Sequence, residues 1–175
     1  VIASGKVPGM SSTDSLMVGN DILDRGDWSG PGGARTILRD RRVDVALLET
    51  ARGGILRRGV GVLENEADVA LINNVAPDHL GEWGIQDVDM LADTKFVLRH
   101  AGKTIVLNAD DEHCVKRASS VTRPIVWFSL EADNELVAQH IEQGNEAIRL
   151  DIDNVIRCYN GENIEFEISA SDIPM

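Results

Sequence analysis

Short apolar runs that alternate with amphipathic stretches constrain the fold of this 175-residue chain more than any other feature. Val43 to Leu48 and Val69 to Ile72 are rich in valine, leucine and isoleucine, and each is about as long as a buried parallel strand. The second run corresponds to a predicted strand 69–73, and the pattern after it predicts helix 87–101, strand 104–107, helix 111–119 and strand 125–129. Strands joined by helices imply right-handed crossovers. We therefore predict the α/β class, with a doubly wound, mostly parallel sheet.

The character of the chain changes after residue 130. Residues 131–175 hold 11 acids and 2 bases, and 147–152 and 163–168 alternate apolar with polar residues. Asn160-Gly161 between the two runs is a turn signal. We expect a small antiparallel β appendage with one wet face. Residues 1–130 would then form the α/β core, and 131–175 an acidic antiparallel β segment of the same domain.

The charge of the chain limits its partners. The formal net charge is -12, which argues against nucleic acid, because phosphate binding rests on a basic surface. Residues 1–60 nevertheless carry 9 Lys+Arg and 7 Asp+Glu, whereas the other 115 carry 8 and 22. A locally basic segment in an acidic chain suggests a focused anion site. Arginines that only solvate a surface are the alternative.

Cysteine usage and hydropathy predict a cytoplasmic protein without a membrane partner. Cys114 and Cys158 lie in unrelated contexts, so neither a zinc site nor a disulfide framework is indicated. No apolar stretch approaches the roughly 18 residues needed to span a bilayer, and no signal peptide is recognisable.

Acid and base clusters follow two of the apolar runs directly. Glu49 to Gly54 follows the first run, and Asn74 to Leu80 follows the second. The carboxyl ends of strands in an open α/β sheet are where ligands bind. Glu49 offers an oxygen ligand and His79 a nitrogen ligand, and a carboxylate, waters and substrate phosphates would suit magnesium. Alternatively, Asp78-His79 only caps the start of the next segment.

One lysine interrupts an apolar helix stripe. Val88, Leu91 and Leu98 follow the spacing of a core-facing stripe, and Lys95 stands where the stripe needs another apolar residue. A buried ammonium is costly, so an inward lysine is often functional. The alternative is a lysine whose stem covers apolar surface while its amine stays in water.

A glycine and arginine segment follows Glu49. Arg52-Gly53-Gly54 could form an anion cradle, because glycines let backbone N–H groups approach an oxyanion and guanidinium groups bind it bidentately. The adjacent Arg57 and Arg58 cannot both face such a site, so at least one is solvated or serves another partner.

Gly102-Lys103-Thr104 is not part of a phosphate-binding P-loop. The motif G-x-x-x-x-G-K-[ST] needs a first glycine at position 97, which is valine. Gly102 is better placed to end the preceding helix. The chain therefore contains no P-loop.

Several of these motifs together resemble the central domain of the Mur ligase family. They are Asp27-Trp28-Ser29-Gly30-Pro31, the run from Leu48 to Gly59, Asn74 with Asp78-His79-Leu80-Gly81, Lys95, and Leu107-Asn108-Ala109-Asp110-Asp111. Gly81 stands where peptidoglycan members commonly have an acid, so the resemblance is stronger to the cyanophycin-synthetase-like branch. Ser15 replaces an expected glycine after Thr13-Asp14, which leaves the loop geometry, and with it the substrate, open.

The resemblance implies an ATP-dependent amide ligase that works through an acyl phosphate. Glu49 and His79 resemble magnesium ligands, and Lys95 resembles the lysine that many members carbamylate to hold a second magnesium. Carbamylation needs an uncharged amine, and burial disfavours the charged form. ATP and two Mg²⁺ ions are the implied cofactors. By position, the expected catalytic residues are Lys95 and Arg52, the substrate-binding residues are Thr13, Asp14, Arg52 and Arg57, and the residue beside the cofactor is Asn74.

The resemblance also implies that this chain is one part of a three-domain enzyme. We expect the P-loop with the first strand to precede Val1 and a C-terminal domain to follow Met175, so that the fragment alone is inactive. The expected substrate is an amino acid or peptide. A peptidoglycan or folylpolyglutamate type of ligase and a non-catalytic, ligase-derived binding domain are the alternatives. Whether the protein forms a homo-oligomer stays open.

Overall fold

The computed structural model describes residues 1–78 and 80–173, which fall into two compact units, Val1–Glu64 and Asn65–Met175. Each unit has its own β-sheet and its own hydrophobic core. His79, Pro174 and Met175 lie outside the described residues.

The first unit is a four-stranded sheet with two helices. In chain order its elements are β1 (Pro8–Ser11), β2 (Ser15–Val18), β3 (Asp21–Arg25), α1 (Pro31–Arg39), β4 (Val45–Leu48) and α2 (Arg52–Arg58). The strand order is β3-β2-β1-β4, with β1 antiparallel to β2 and parallel to β4. Leu16, Val18 and Ile37 form the centre of its core.

A glycine in β1 allows α1 to pack closely on the sheet. A Cβ built at Gly9 would lie 2.6 Å from a methyl carbon of Ile37 and 2.7 Å from one of Val43. Both distances are shorter than real contacts between carbon atoms, so a larger residue would push the helix away from β1. Gly9 therefore sets the spacing between the sheet and the helix that precedes β4.

The second unit is a mixed sheet of six strands. Its elements are β5 (Ala67–Ile72), α3 (Val88–Lys95), β6 (Gly102–Asn108), α4 (Glu112–Arg117), β7 (Ile125–Ser129), α5 (Glu135–Glu142), β8 (Glu146–Leu150), β9 (Val155–Asn160) and β10 (Asn163–Ser169). The strand order is β10-β9-β8-β7-β6-β5. Strands β5 to β8 are parallel, and β8, β9 and β10 pair antiparallel.

The core of the second unit joins the parallel strands to their crossover helices. Ile105 and Leu107 of β6 are fully buried and cluster with Phe96, Cys114 and Val137 from the crossover segments. A smaller cluster, of Val75, Ile85, Leu91 and Ala92, lies beneath the loop that follows β5. The carboxyl ends of the parallel strands, and the loops that follow them, therefore lie at one edge of this sheet.

The expected α/β class, with parallel strands and an antiparallel addition, is confirmed. The structure differs from the expectation after residue 130, because Glu135–Glu142 is a helix and β8 is parallel to β7. The antiparallel pairing begins only where β9 joins β8. Asn134 caps the helix by accepting from Val137 N, and Val137 and Ile141 bury its apolar side. The predicted helix 87–101 ends its α-helical part at Lys95 and continues as a 3₁₀ turn over Phe96–His100.

Candidate functional site

The tip of β4 brings two predicted site residues of the first unit together. The Glu49 backbone N–H donates to Ser11 O at 2.9 Å, which extends the pairing of β4 with β1. The Glu49 carboxylate accepts from Thr13 N at 2.9 Å and lies 3.3 Å from Thr13 Oγ1. Both residues are exposed, so the carboxylate keeps lone pairs that face solvent.

A serine turn shapes the loop that carries Thr13 and Asp14. Ser12 Oγ accepts from Asp14 N at 3.3 Å and from Ser15 N at 3.2 Å, and it donates to Ser15 O. This local bonding lets a hydroxyl replace the backbone partner of a tight turn. Ser15, the departure from the expected glycine, is 7% exposed and begins β2. Asp14 is exposed next to Thr13.

The Arg52-Gly53-Gly54 segment forms the first turn of α2. Gly54 packs against the backbone of Gly30, since a Cβ built there would lie 3.1 Å from Gly30 Cα. Close approach of two backbone segments is therefore a second reason for this glycine. Arg52 is half-buried, and the anion cradle proposed for the segment stays a prediction.

Arg57 lies near an acid of the loop before α1. Its Nε donates to Gly53 O at 2.9 Å. The hydroxyl and the backbone N–H of Ser29 hold the pKa of Asp27 below its usual value, and the charge of Arg57 adds to this effect. Arg57 therefore contributes positive potential to the exposed side of α2, which suits the predicted role in substrate binding.

In the second unit, Lys95 reaches the loop that follows β5. It is half-buried at the end of α3, about one turn after the buried Leu91, and its Nζ donates to Asn74 O at 3.0 Å. The structure thus brings the predicted Lys95 and Asn74 together through the Asn74 backbone. A lysine whose amine is held at a strand tip differs from one that only covers apolar surface.

A residue without an expected role holds the same loop from the other side. Asp111 Oδ2 accepts from Val75 N at 2.6 Å, and its Oδ1 accepts from His113 N and Cys114 N at the start of α4. The sequence signal was an Asp directly before a helical segment, which is typical of an N-cap. The contact with Val75 spans 36 residues and could not be read from local spacing.

The other predicted residue of this loop, His79, lies outside the described residues. Asp78 is exposed directly before it. The role of His79 as a metal ligand therefore stays a prediction.

Whether the predicted residues suit magnesium is judged by the type of their donor atoms. Across 1–78 and 80–173 no group of three or more His, Cys, Asp or Glu side chains has the arrangement of a metal site. The exposed carboxylate of Glu49 is a hard oxygen donor of the kind that Mg²⁺ prefers, with water and substrate oxygens as its usual further ligands. Glu49 fits a magnesium ion in donor type.

A cavity of about 480 Å³ lies elsewhere in the second unit, beside β8 and β9. Its lining includes Arg149, Asp151, Asp153 and Arg157, whose arginines donate hydrogen bonds to the aspartates. It contains none of the predicted site residues. Among the described helices, none has the length and apolar character needed to cross a membrane.

Comparison with known families identifies the domain. The model of the Mur ligase middle domain matches residues 33–171, which include β4, α2 and nearly all of the second unit. The chain belongs to the Mur ligase middle-domain family. The resemblance found in the motifs of the sequence is thereby confirmed.

Relatives of this Mur ligase middle domain include cyanophycin synthetases. The chain is 42% identical over 147 residues to the cyanophycin synthetase of Trichormus variabilis, a match that covers 82% of the chain and 16% of that protein. It is 40% identical to the cyanophycin synthetase of Crocosphaera subtropica, where 17% of the relative is covered. The chain therefore spans about a sixth of the length of these relatives.

A solved structure shares the Mur ligase fold. A UDP-N-acetylmuramoyl-L-alanyl-D-glutamate–2,6-diaminopimelate ligase matches 95% of the chain with a TM-score of 0.67 and 17% identity. The match covers 34% of that ligase. At this identity the likeness describes the fold alone.

Proposed function

We propose that this chain is the metal- and substrate-binding part of an ATP-dependent carboxylate–amine ligase of the cyanophycin synthetase type. The observation that carries the proposal is the hydrogen bond from Lys95 to the loop after β5, in a chain that belongs to the Mur ligase middle-domain family. It lies at the carboxyl end of parallel strands, where ligands bind in open α/β sheets. The proposed cellular location is the cytoplasm.

The reaction has two steps. A carboxylate oxygen of the acid substrate attacks the γ-phosphorus of ATP, the bond to the β,γ-bridging oxygen breaks, and ADP leaves. The amine of an amino acid or peptide then attacks the carbonyl carbon of the acyl phosphate, inorganic phosphate leaves, and the nitrogen loses a proton to give the amide. Positioning and charge neutralisation provide most of the catalysis in phosphoryl transfer.

Each predicted residue has a role in this scheme. Glu49 and His79 are each proposed as a magnesium ligand, and a carbamylated Lys95 as a ligand of a second Mg²⁺; bound magnesium would neutralise charge on the transferring phosphoryl group. Thr13 N and Oγ1 already orient the Glu49 carboxylate. Arg52 and Arg57 would bind anionic groups of the substrate, together with Thr13 and Asp14 of the loop between β1 and β2, and Asn74 would lie beside the nucleotide.

Sequence identity favours the cyanophycin synthetase branch over the peptidoglycan branch. The chain is 42% identical to a cyanophycin synthetase, but 17% identical to the structurally similar peptidoglycan ligase. The folylpolyglutamate type and a non-catalytic, ligase-derived domain remain as alternatives.

The proposal is tested on the full-length protein that contains this chain. The twenty common amino acids are offered as amines and short peptides as acids, with ATP and Mg²⁺, and ADP release is followed together with the mass of the product. We expect ADP and phosphate in a one-to-one ratio with new amide bonds, and no turnover when either substrate is omitted.

The controls are a reaction without Mg²⁺ and the Lys103→Ala variant. Lys103 is exposed and its Nζ lies 2.6 Å from a carboxylate oxygen of the exposed Asp68, so its removal should leave turnover unchanged. ATP hydrolysis that does not depend on an amine, or binding of peptide without turnover, would contradict a ligase.

A further inference from the structure

The loop that follows β5 is held at two adjacent backbone groups by two different elements. Asn74 O accepts from Lys95 Nζ at the end of α3, and Val75 N donates to Asp111 Oδ2 at the start of α4. The distances are 3.0 and 2.6 Å. One peptide segment is therefore fixed from both sides, by a cation at its carbonyl and by an anion at its N–H.

The side chain of Val75 provides a third attachment. It is 6% exposed and clusters with Ile85, Leu91 and Ala92. Leu91 and Ala92 belong to α3, the helix that ends at Lys95. The same residue thus couples the loop to α3 through its side chain and to α4 through its backbone.

Asp111 divides these tasks between its two carboxylate oxygens. Oδ1 caps α4 by accepting from His113 N at 2.8 Å and from Cys114 N at 3.1 Å, whereas Oδ2 accepts from Val75 N. A helix cap needs only one acceptor oxygen, and serine or asparagine supplies it as well as aspartate does. The second oxygen therefore has a task that helix formation does not explain.

The position of the Lys95 amine depends on these contacts of the loop. Its amine meets Asn74 O only if the loop keeps its position relative to α3. Groups that orient a catalytic residue through a hydrogen bond commonly change affinity or activity when they are removed, although they touch no ligand. The bond from Val75 to Asp111 is short and half-buried, as expected of a charge-assisted hydrogen bond.

Building on the proposed function, we propose that Asp111 is a positioning residue that fixes the loop after β5 and so sets the position of the Lys95 amine. It acts through Val75 N and touches neither substrate nor nucleotide. Its removal should allow the loop to open and should impair the step that depends on Lys95, while α4 remains folded.

The Asp111→Ser variant separates the two tasks of the side chain. The serine hydroxyl caps α4 but has no second oxygen for Val75 N. Asp111→Asn is the second variant, because it keeps one acceptor for the cap and presents an amide NH₂ to Val75 N. The matched control is Asp87→Ser at the start of α3, where the aspartate side chain accepts from Met90 N at 2.8 Å, its one partner among residues 1–78 and 80–173, and the serine preserves that cap.

Two measurements are made on the full-length protein. Hydrogen exchange resolved to single peptides reports on Val75 and on α4, and steady-state kinetics report kcat, KM and the Mg²⁺ concentration for half-maximal rate. For both Asp111 variants we expect at least tenfold faster exchange at Val75 with α4 still protected, and kcat about tenfold lower. The Mg²⁺ requirement should rise, and Asp87→Ser should match the wild type.

Each outcome decides one part of the proposal. Unchanged exchange at Val75 would show that Asp111 does not hold the loop. Loss of protection across α4 would show that Asp111 acts as a helix cap. Faster exchange with unchanged kcat and Mg²⁺ requirement would overturn the link to Lys95. If the wild-type protein forms no amide, the proposed function fails, whereas the exchange rates still decide whether Asp111 holds the loop.

Discussion

Two polar regions of the second unit use charged side chains in opposite ways. The strand-tip cluster consists of Asn74, Val75, Lys95, Asp110 and Asp111. The β8–β9 network consists of Arg149, Asp151, Arg157 and Tyr159. Both are dense in hydrogen bonds, but only the first contains predicted site residues.

Acids and bases satisfy one another in the β8–β9 network. Asp151 accepts from Arg149 Nε at 2.6 Å, from Arg157 Nη1 at 2.9 Å and from the Tyr159 hydroxyl. Although burial raises the pKa of Asp151, hydrogen bonds from Tyr159, Arg157 and Arg149 outweigh it and hold the pKa below its usual value. The charge of Asp151 is therefore paired with arginines of the same network.

Charged groups bond to neutral partners in the strand-tip cluster. Asp110 accepts from Ser129 Oγ, Leu130 N and Asn134 Nδ2, Asp111 accepts from backbone N–H groups, and Lys95 donates to a carbonyl. Such bonds fix geometry, and none of these five bonds joins a carboxylate to a cation. The difference teaches that the network suits stability, whereas in the proposed function the charges of the cluster serve a ligand. Changes in the cluster should therefore alter activity, and changes in the network should alter stability.

The largest effect is expected from Lys95→Ala. It removes the amine that donates to Asn74 O, and in the proposed function it removes a metal-holding group. Amide formation by the full-length protein should fall about a hundredfold to a thousandfold, because electrostatic stabilisation of the transition state is lost. A short carboxylic acid that mimics a carbamate should restore part of the rate. Unchanged activity would remove Lys95 from the site.

Glu49→Gln extends the comparison to the first unit. The amide keeps the size of the side chain and one acceptor for Thr13, but it loses the charge that suits magnesium. The Mg²⁺ concentration for half-maximal rate should rise about tenfold or more. Magnesium titration of the full-length enzyme measures it, and an unaltered requirement would exclude Glu49 as a metal ligand.

Asp151→Ala should separate stability from activity. Arg149 and Arg157 would lose a common partner that is only 10% exposed. The free energy for opening β8 and β9 should fall by about 2 kcal/mol, because the partly buried Arg149 loses the carboxylate that pairs with it, whereas Arg157 keeps Asp153 and Glu167. Native-state hydrogen exchange measures this, with the exposed pair Lys103–Asp68 as a control through Lys103→Ala. A loss of kcat per folded molecule would break the distinction between the two regions.

The smallest effect concerns the ion pairs that the exposed Asp89 of α3 makes with Lys116 and Arg117 of α4. Hydrogen bonds from Arg117 and Lys116 lower the pKa of Asp89 from 3.8 to about 2. Because the folded-state value is depressed, the stabilisation is present above pH 3.8 and is lost as the pH falls through about 2. The acid transition should be shallower near these values in Asp89→Asn, as followed by circular dichroism. An identical transition in both proteins would show that this pair contributes nothing.

The parts of the fold that could be predicted from the sequence are those with local signals. Strands β4, β5 and β7 each contain four consecutive apolar residues, and Lys95 stands out because it interrupts a helical stripe. Helix α5 was missed because eight residues next to alternating segments give a weak helical period. The partners of Thr13 and Val75 each lie 36 residues away, so only the tertiary fold could reveal them. Local sequence signals therefore predict candidate site residues, whereas the contacts that orient these residues appear only in the tertiary fold.

The most direct test of the account follows oxygen from the acid substrate. The full-length protein is supplied with ATP, Mg²⁺, an amine and an acid whose carboxylate carries ¹⁸O, and the phosphate released is analysed by mass spectrometry. An acyl phosphate intermediate predicts one ¹⁸O atom in each inorganic phosphate, with ADP as the other product. Release of AMP that carries the label, or of phosphate without it, would contradict the proposed ligase.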